Sequence, residues 1–300
     1  MSSGGNSVFR GFGLAAFAGI CWGGMGCAVQ YLLQGNGMSA LDLVTMRQLA
    51  AGLLMTAILI ATQGRKAFCV FSSLENLRDV ALSGATVFVS HSAFFQAIGY
   101  SNAGTGAIFI ALVPLFCAAW LAFRRRQPVS RTEALCFVLA TAGVALLVTN
   151  GDFTKLQFSP LSIFWGLTCA AFAAVYSIQP MAVIRRIGVI PVVSWGILFG
   201  GLCSAILNPP WTIGLSWGLT EAAAFGFIVI FGTIIAFWSY LTSLKFISPV
   251  LLGLLNSLEP LSAFVFSILL LGQRLGAWEA AGIALVIANV CILALSKRRR

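Results

Sequence analysis

The chain alternates long apolar stretches with short polar segments, and ten of the apolar stretches are long enough to cross a bilayer. The hydrocarbon core of a membrane is about 30 Å thick, a distance that about 20 residues of α-helix span. The pattern therefore predicts an all-α integral membrane protein with ten transmembrane helices. The predicted spans are residues 11–33, 40–62, 79–99, 103–123, 132–149, 160–183, 190–207, 218–242, 248–271 and 277–296.

Charge adds an orientation to this picture. Only 9% of the residues are charged, whereas a soluble domain has about 25%. Fifteen of the 18 Lys and Arg residues lie in the two tails and in the loops after even-numbered spans, and the opposite side holds only Lys155 and Arg274. Positively charged loops stay in the cytoplasm, so both termini are predicted to be cytoplasmic. The net charge of +10 is then a topology signal that also attracts anionic lipid headgroups, and no nucleic-acid partner is predicted.

The chain also repeats itself once. Residues 100–114 read YSNAGTGAIFIALVP and residues 246–260 read FISPVLLGLLNSLEP, each with a proline fourteen residues after the aromatic residue. Five spans per copy is an odd number, so the second copy must enter the membrane from the opposite face. The sequence therefore predicts a 5+5 inverted repeat, with the first repeat in residues 1–150 and the second in residues 151–300.

Two prolines occupy matching places in the two copies. Pro114 and Pro260 lie near the middle of spans 4 and 9. Proline removes one i→i−4 hydrogen bond and breaks or kinks a helix, which frees a carbonyl group. At that depth the carbonyl needs a protein or water partner, so the helix breaks indicate either a polar cavity or a kink that improves packing.

Several short motifs resemble those of a known family. They are Trp22-Gly23, Arg47, the turn with Ala97, Tyr100 and Ala103, the segment Phe246-Ile-Ser-Pro249, Leu-Glu-Pro at 258–260 and Leu-Gly-Gln at 271–273. With these motifs the chain resembles a bacterial member of the drug/metabolite transporter superfamily, of the ten-helix EamA type. The resemblance implies a 5+5 inverted repeat, a central cavity, and export or exchange of small metabolites across the bacterial inner membrane.

Polar residues within the spans are the candidate site residues, because burying them in lipid costs free energy. Glu259 lies mid-span beside Pro260, and Asn256 lies three residues earlier on the same helical face. The hypothesis is that both contact a polar or cationic part of the substrate, or that Glu259 exchanges a proton. The alternative is a carboxyl group that hydrogen-bonds a neighbouring helix.

Three more charged or titratable residues are candidates. His91, the only histidine, lies mid-span 3 and is predicted either to line the cavity or shuttle protons, or to be a hydrogen-bonded packing residue. Arg47 lies a turn or two inside the outer end of span 2, five residues after Asp42. Arg47 and Asp42 are assigned either a gate role, with Arg47 contacting a substrate carboxylate, or a structural role. In the structural role Arg47 snorkels or pairs with Asp42 or Glu221.

Aromatic side chains complete the candidate site. Trp22, Tyr176 and Trp238 lie deep in their spans and are predicted to line a cavity suited to aromatic or amphipathic solutes. The alternative is that they face lipid or pack between helices.

The leading function is a secondary transporter that exports or exchanges small amino-acid-like or amphipathic solutes by alternating access. The alternative is a proton-coupled exporter of drugs or cations, and an intramembrane enzyme or a non-transporting scaffold is less favoured. The sequence shows no catalytic motif, metal-ligand spacing or cofactor motif, so no enzyme activity is predicted. Glycine pairs at 19 and 23 and at 196 and 200 favour internal helix packing, hence a monomer or weak dimer in the bilayer.

Overall fold

A computed structural model describes most of the chain. The described residues are 3–35, 38–125, 131–149, 152, 159–214, 217–243, 245–247, 255, 258–272, 274 and 276–297. They form helices joined by short turns, and no β-strand occurs in this part of the chain. The predicted all-α fold is confirmed.

Six helices make up the first half of the chain. They are α1 (Ser3–Gln30), α2 (Ala40–Gln63), α3 (Leu74–Gly99), α4 (Ala103–Ala111), α5 (Val113–Arg125) and α6 (Arg131–Thr149). Side chains at three of their starts accept a hydrogen bond from the first helical turn, which satisfies amide groups that have no partner within the helix. The capping residues are Ser39 for α2, Ser73 for α3 and Asn102 for α4.

Seven described helices follow in the second half. They are α7 (Pro160–Ile178), α8 (Met181–Ile187), α9 (Val189–Leu207), α10 (Leu219–Val229), α11 (Ala236–Ser243), α12 (Leu258–Leu271) and α13 (Ala277–Lys297). A π-helical segment, Ile230–Ile235, joins α10 to α11, and another, Tyr31–Gly35, extends α1. Short 3₁₀-helices cover Gly64–Ser72 and Pro210–Thr212.

Helices occupy each of the ten predicted spans. Six helical stretches are long and apolar enough to cross a membrane, judged by length and composition. They are Val8–Gly35, Ala40–Ser72, Leu74–Gly99, Pro160–Ile187, Val189–Leu207 and Leu219–Ser243. The other four predicted spans hold α4 with α5, α6, α12 and α13. An all-helical bundle that crosses the membrane several times is the result.

Prolines divide some spans that hydropathy predicts as single helices. In span 4, α4 ends at Ala111 and α5 starts at Val113, directly before Pro114. In span 6, α7 ends before Pro180, whose missing N–H prevents an uninterrupted helix, and α8 follows. Pro260 lies in the first described turn of α12.

Close approach between helices depends on glycine. A Cβ on Gly23 of α1 would lie 2.0 Å from Ser262 Oγ and 2.6 Å from the backbone nitrogen of Ala263 in α12. A Cβ on Gly84 of α3 would lie 2.6 Å from the carbonyl oxygen of Gly196 and 2.9 Å from the nitrogen of Gly200 in α9. These contacts fix α1 against α12 and α3 against α9, so both predicted glycine pairs pack inside the bundle.

Candidate functional site

Arg47 is the centre of a polar cluster in which α1, α2 and α3 meet. Its side chain is only 2% exposed, and it is among the largest fully enclosed side chains in the described residues. Nη1 donates to the sulfur of Met25 at 3.4 Å, and Nη2 contacts Nδ1 of His91. The guanidinium also lies 5.0 Å above the ring of Phe95. The guanidinium is therefore surrounded by a sulfur, an imidazole and a phenyl ring from two neighbouring helices, α1 and α3.

His91 on α3 joins this cluster to α7. The amide nitrogen of Gln48 lies 3.1 Å from the same Nδ1 atom that Arg47 contacts. On its other side the imidazole meets the ring of Tyr176 edge-on, at 6.2 Å between centroids. The His91 side chain is only partly buried, unlike those of Arg47 and Gln48. His91 is thus less completely buried than Arg47 and Gln48.

Several polar atoms of the cluster are buried without a hydrogen-bond partner. They are Nε of Arg47, Oε1 of Gln48 and Oγ of the neighbouring Ser92. The ion pairs among the described residues are formed by Arg78 and Arg186, so Arg47 has no carboxylate within salt-bridge distance there. Unsatisfied donors and acceptors of this kind are costly in a stable core, and they are expected where a polar ligand binds.

Glu259 approaches the same region from α12. Its side chain is 8% exposed, at a place where Gly19 and Gly23 let α1 pack directly against the α12 backbone. The bundle therefore encloses an acidic side chain on α12 as well as the basic side chain of Arg47 on α2.

Two of the other candidate residues, Trp22 and Trp238, do not join the cluster directly. Trp22 packs edge-on against Phe237 and also contacts Tyr240, which ties α1 to α11. Trp238 is 59% exposed and points away from the α11 face that packs on α1, as a lipid-facing ring does. Asn256 lies outside the described residues.

The observed contacts of Arg47 differ from those predicted for its structural role. Arg47 does not snorkel to the surface, and it pairs with no acidic residue among those that the structure describes. Oδ1 of Asp42 accepts a 2.7 Å hydrogen bond from Asn208, and Oε1 of Glu221 accepts one of 3.1 Å from Tyr31. Both acids have partners near the ends of their helices, and Arg47 points into the bundle towards His91 instead.

Sequence reasoning missed two members of the cluster, Met25 and Gln48. Gln48 carried a usable signal, because it is a second polar residue directly after Arg47 within an apolar span. Met25 carried none, since a methionine in a transmembrane helix is ordinary. In the described part of the chain, no group of three or more His, Cys, Asp or Glu side chains could hold a metal ion.

An apolar groove lies apart from this cluster, between α1, α10 and α12. Its volume is about 420 Å³, and it opens on the side of the bundle. Its lining includes Cys27, Tyr31, Ala224, Phe227, Phe266 and Leu270. It contains neither Arg47 nor His91, so the polar candidates and the groove are separate features.

Comparison with known proteins places the chain in a family. The EamA-like transporter family matches it twice, over residues 9–149 and 160–295. It is 31% identical over 301 residues to the uncharacterized inner membrane transporter YicL of Salmonella typhimurium, covering 98% of each protein. It is 26% identical over 257 residues to the uncharacterized inner membrane transporter YedA of Escherichia coli K12, covering 84% of this chain and 80% of YedA.

A solved crystal structure has the same fold at low sequence identity. It matches 100% of this chain and 99% of its own with a TM-score of 0.61 and 17% identity. The predicted family resemblance, the helical membrane fold and the two family matches agree. The chain belongs to the EamA-like transporter family.

Proposed function

We propose that the protein is a secondary transporter of the bacterial inner membrane that exports or exchanges small metabolites by alternating access. Its two halves, residues 1–150 and 151–300, are oppositely inserted repeats, and its termini face the cytoplasm. The solutes are amino-acid-like or amphipathic. The names of YicL and YedA, both inner membrane transporters, support the location.

Helix packing supports the inverted arrangement. Span 1 packs against spans 8 and 9 through α11 and α12, and span 6 packs against spans 3 and 4 through α3, α4 and α5. If the second repeat begins at span 6, then spans 6, 3 and 4 correspond to spans 1, 8 and 9, and the two sets of contacts are equivalent. The self-equivalent pairs also meet, since α2 packs along α9 and α6 along α13. Two halves related in this way can exchange conformations around one site.

One observation carries the choice of substrate class. Arg47 and Glu259 are a basic and an acidic side chain that are both buried inside the bundle. A carboxylate on the solute complements the basic side, and an ammonium group complements the acidic side. An apolar remainder fits the aromatic surroundings, which include Phe95 beside Arg47. Zwitterionic amino-acid-like solutes satisfy all three surroundings at once.

The test is solute flux in proteoliposomes that contain the purified protein. The panel holds neutral amino acids, amines and drug-like cations, each measured with and without an imposed pH gradient. We expect transport of zwitterions and weaker transport of amines that lack a carboxylate. Flux of none of these solutes above empty liposomes would contradict the proposal.

A proton-coupled exporter of cations is the second candidate, and Glu259 favours it. The carboxyl group is buried, and no ion pair involves it in the part of the chain that the structure describes. Under this function, drug-like cations accumulate only when a pH gradient is imposed, and Glu259→Gln abolishes the accumulation. Glu279→Gln is the matched control, because the Glu279 carboxylate caps the Gly276 amide at the start of α13 and lies outside the cluster.

A further inference from the structure

We infer that Arg47 and Gln48 hold His91 as a neutral imidazole with its proton on Nε2, so that His91 presents a fixed hydrogen-bond donor to the solute. Arg47 and Gln48 are positioning residues in this arrangement, and His91 is the group that contacts the solute. The contact with solute rests on the proposed transport function, whereas the state of the imidazole does not.

The first step is the chemistry of the groups that meet Nδ1. A guanidinium has five N–H donors and no acceptor, so its contact with Nδ1 requires an unprotonated nitrogen with a free lone pair. Gln48 presents its amide nitrogen to the same atom at 3.1 Å, and its Oε1 has no partner. Two donors from consecutive residues of α2 therefore converge on one lone pair. The proton of a neutral imidazole is then on Nε2.

The second step concerns a second proton. A proton on Nδ1 would remove the lone pair and place an imidazolium against a buried guanidinium. The Arg47 guanidinium contacts His91 directly. From the other helices packed on α3, α7 brings the neutral Tyr176 and Cys169, and α4 and α9 carry only neutral side chains. The acidic Glu259 lies on α12 and makes none of the described contacts of His91. His91 thus cannot carry a second proton, on Nδ1, while Arg47 keeps its place.

The third step is the direction of the remaining donor. The two nitrogens of an imidazole point away from one another, so Nε2–H is directed away from Arg47 and Gln48. The residue is partly exposed, whereas Arg47 and Gln48 are buried, so we assign the contact with the solute to this edge. The positive charge behind the ring strengthens a hydrogen bond to an anionic acceptor. The chemistry that fits this donor is an oxygen acceptor, with a carboxylate the best match.

The direct test uses the fact that the chain has a single histidine. Full-length protein labelled with ¹⁵N-histidine and placed in lipid nanodiscs gives signals from His91 alone. We expect Nδ1 unprotonated and Nε2 protonated at every point from about pH 5 to about pH 8, a range in which a free imidazole titrates. Protonation of both nitrogens, or a proton on Nδ1 alone, would overturn the inference. Because the measurement uses the unmodified protein, its result cannot be due to a variant that fails to fold.

The second test separates the two edges of the ring. His91→Gln places an amide nitrogen near the position of Nε2, whereas His91→Asn reaches only the position of Nδ1. We expect His91→Gln to keep the KM for a transported zwitterion within about threefold, and His91→Asn to raise it about tenfold or more. Equal KM values for the two variants would overturn the role as donor. If no solute is transported at all, the transport proposal fails and the NMR result still decides the imidazole state.

Discussion

Arg47 and Arg186 are both ordered by several contacts, yet their partners differ in kind. Arg186 on α8 binds Glu75 through Nη1, Asp79 through Nη2 at 2.6 Å, and Asn76 through Nε at 2.9 Å. Its side chain is 35% exposed, at the proposed cytoplasmic end of α3. Arg47 is enclosed in the bundle and meets a sulfur, an imidazole and a phenyl ring. One arginine is neutralised by acids and the other is not.

This difference indicates what each arginine can do. Two carboxylates compensate the positive charge of Arg186, so its electrostatic field at a third group is weak. The same ion pairs hold α8 against α3. Neutral partners leave the positive field of Arg47 uncompensated, although a charge inside the membrane is expensive to keep. An uncompensated charge inside the membrane is expected where it interacts with a ligand that binds and dissociates. Under the proposed function, Arg186 therefore stabilises the scaffold and Arg47 acts on the solute.

The sharpest test of this division is Arg47→Met. Methionine fills similar apolar volume, and removal of the cation leaves His91 and Gln48 neutral, so no unpaired charge remains in the bundle. We expect zwitterion flux to fall by about tenfold to hundredfold, the value of a hydrogen bond to a charged group. Tm, measured by the fluorescence of the tryptophans in detergent, should change little. A variant that unfolds while flux per folded molecule persists would reverse the assignment.

A second change makes Arg47 resemble Arg186. Met25→Glu puts a carboxylate where the methionine sulfur now lies 3.4 Å from Nη1. A buried ion pair would cancel the field of the guanidinium, so we expect flux to fall about tenfold. Met25→Gln has the same length and no charge, and it serves as the matched control with a smaller loss. Identical flux in the two variants would show that the charge of Arg47 is not used.

The sequence predicts the helices well because hydropathy is a property of each segment by itself. All ten spans, the helix break at Pro114 and the inward packing of both glycine pairs follow from local patterns. The break at Pro180 and the π-helical segment Ile230–Ile235 were not predicted. Pro180 is itself a local signal for a helix break, so the break in span 6 could have been predicted from the sequence. The π-helical segment depends on how α10 and α11 pack, with Gly232 against Met25 of α1.

The site is harder to predict, since it depends on how helices rotate and approach each other. Arg47 and His91 were singled out separately, and nothing in one sequence shows that they touch across 44 positions. Their contact requires α2 and α3 to be held against α9, where Gly84 and Gly200 meet and where Gly52 faces the backbone of Leu198. Trp238, which is 59% exposed, illustrates the same limit, because depth in a span does not reveal which face of the helix points inward.

The smallest effect is expected for Arg186→Gln. The variant loses two ion pairs at an exposed position, where solvent screening leaves such contacts weak, and Gln can still donate to Asn76. We expect zwitterion flux within about twofold of the unmodified protein, with a small further change when Glu75→Gln is added. Flux is measured at low and high salt. Because salt weakens the ion pairs of Arg186, the flux of the unmodified protein should approach that of the variant as the salt concentration rises. A loss as large as that of Arg47→Met would mean that the contacts between α8 and α3 open and close during transport. Both arginines would then take part in transport, and not Arg47 alone.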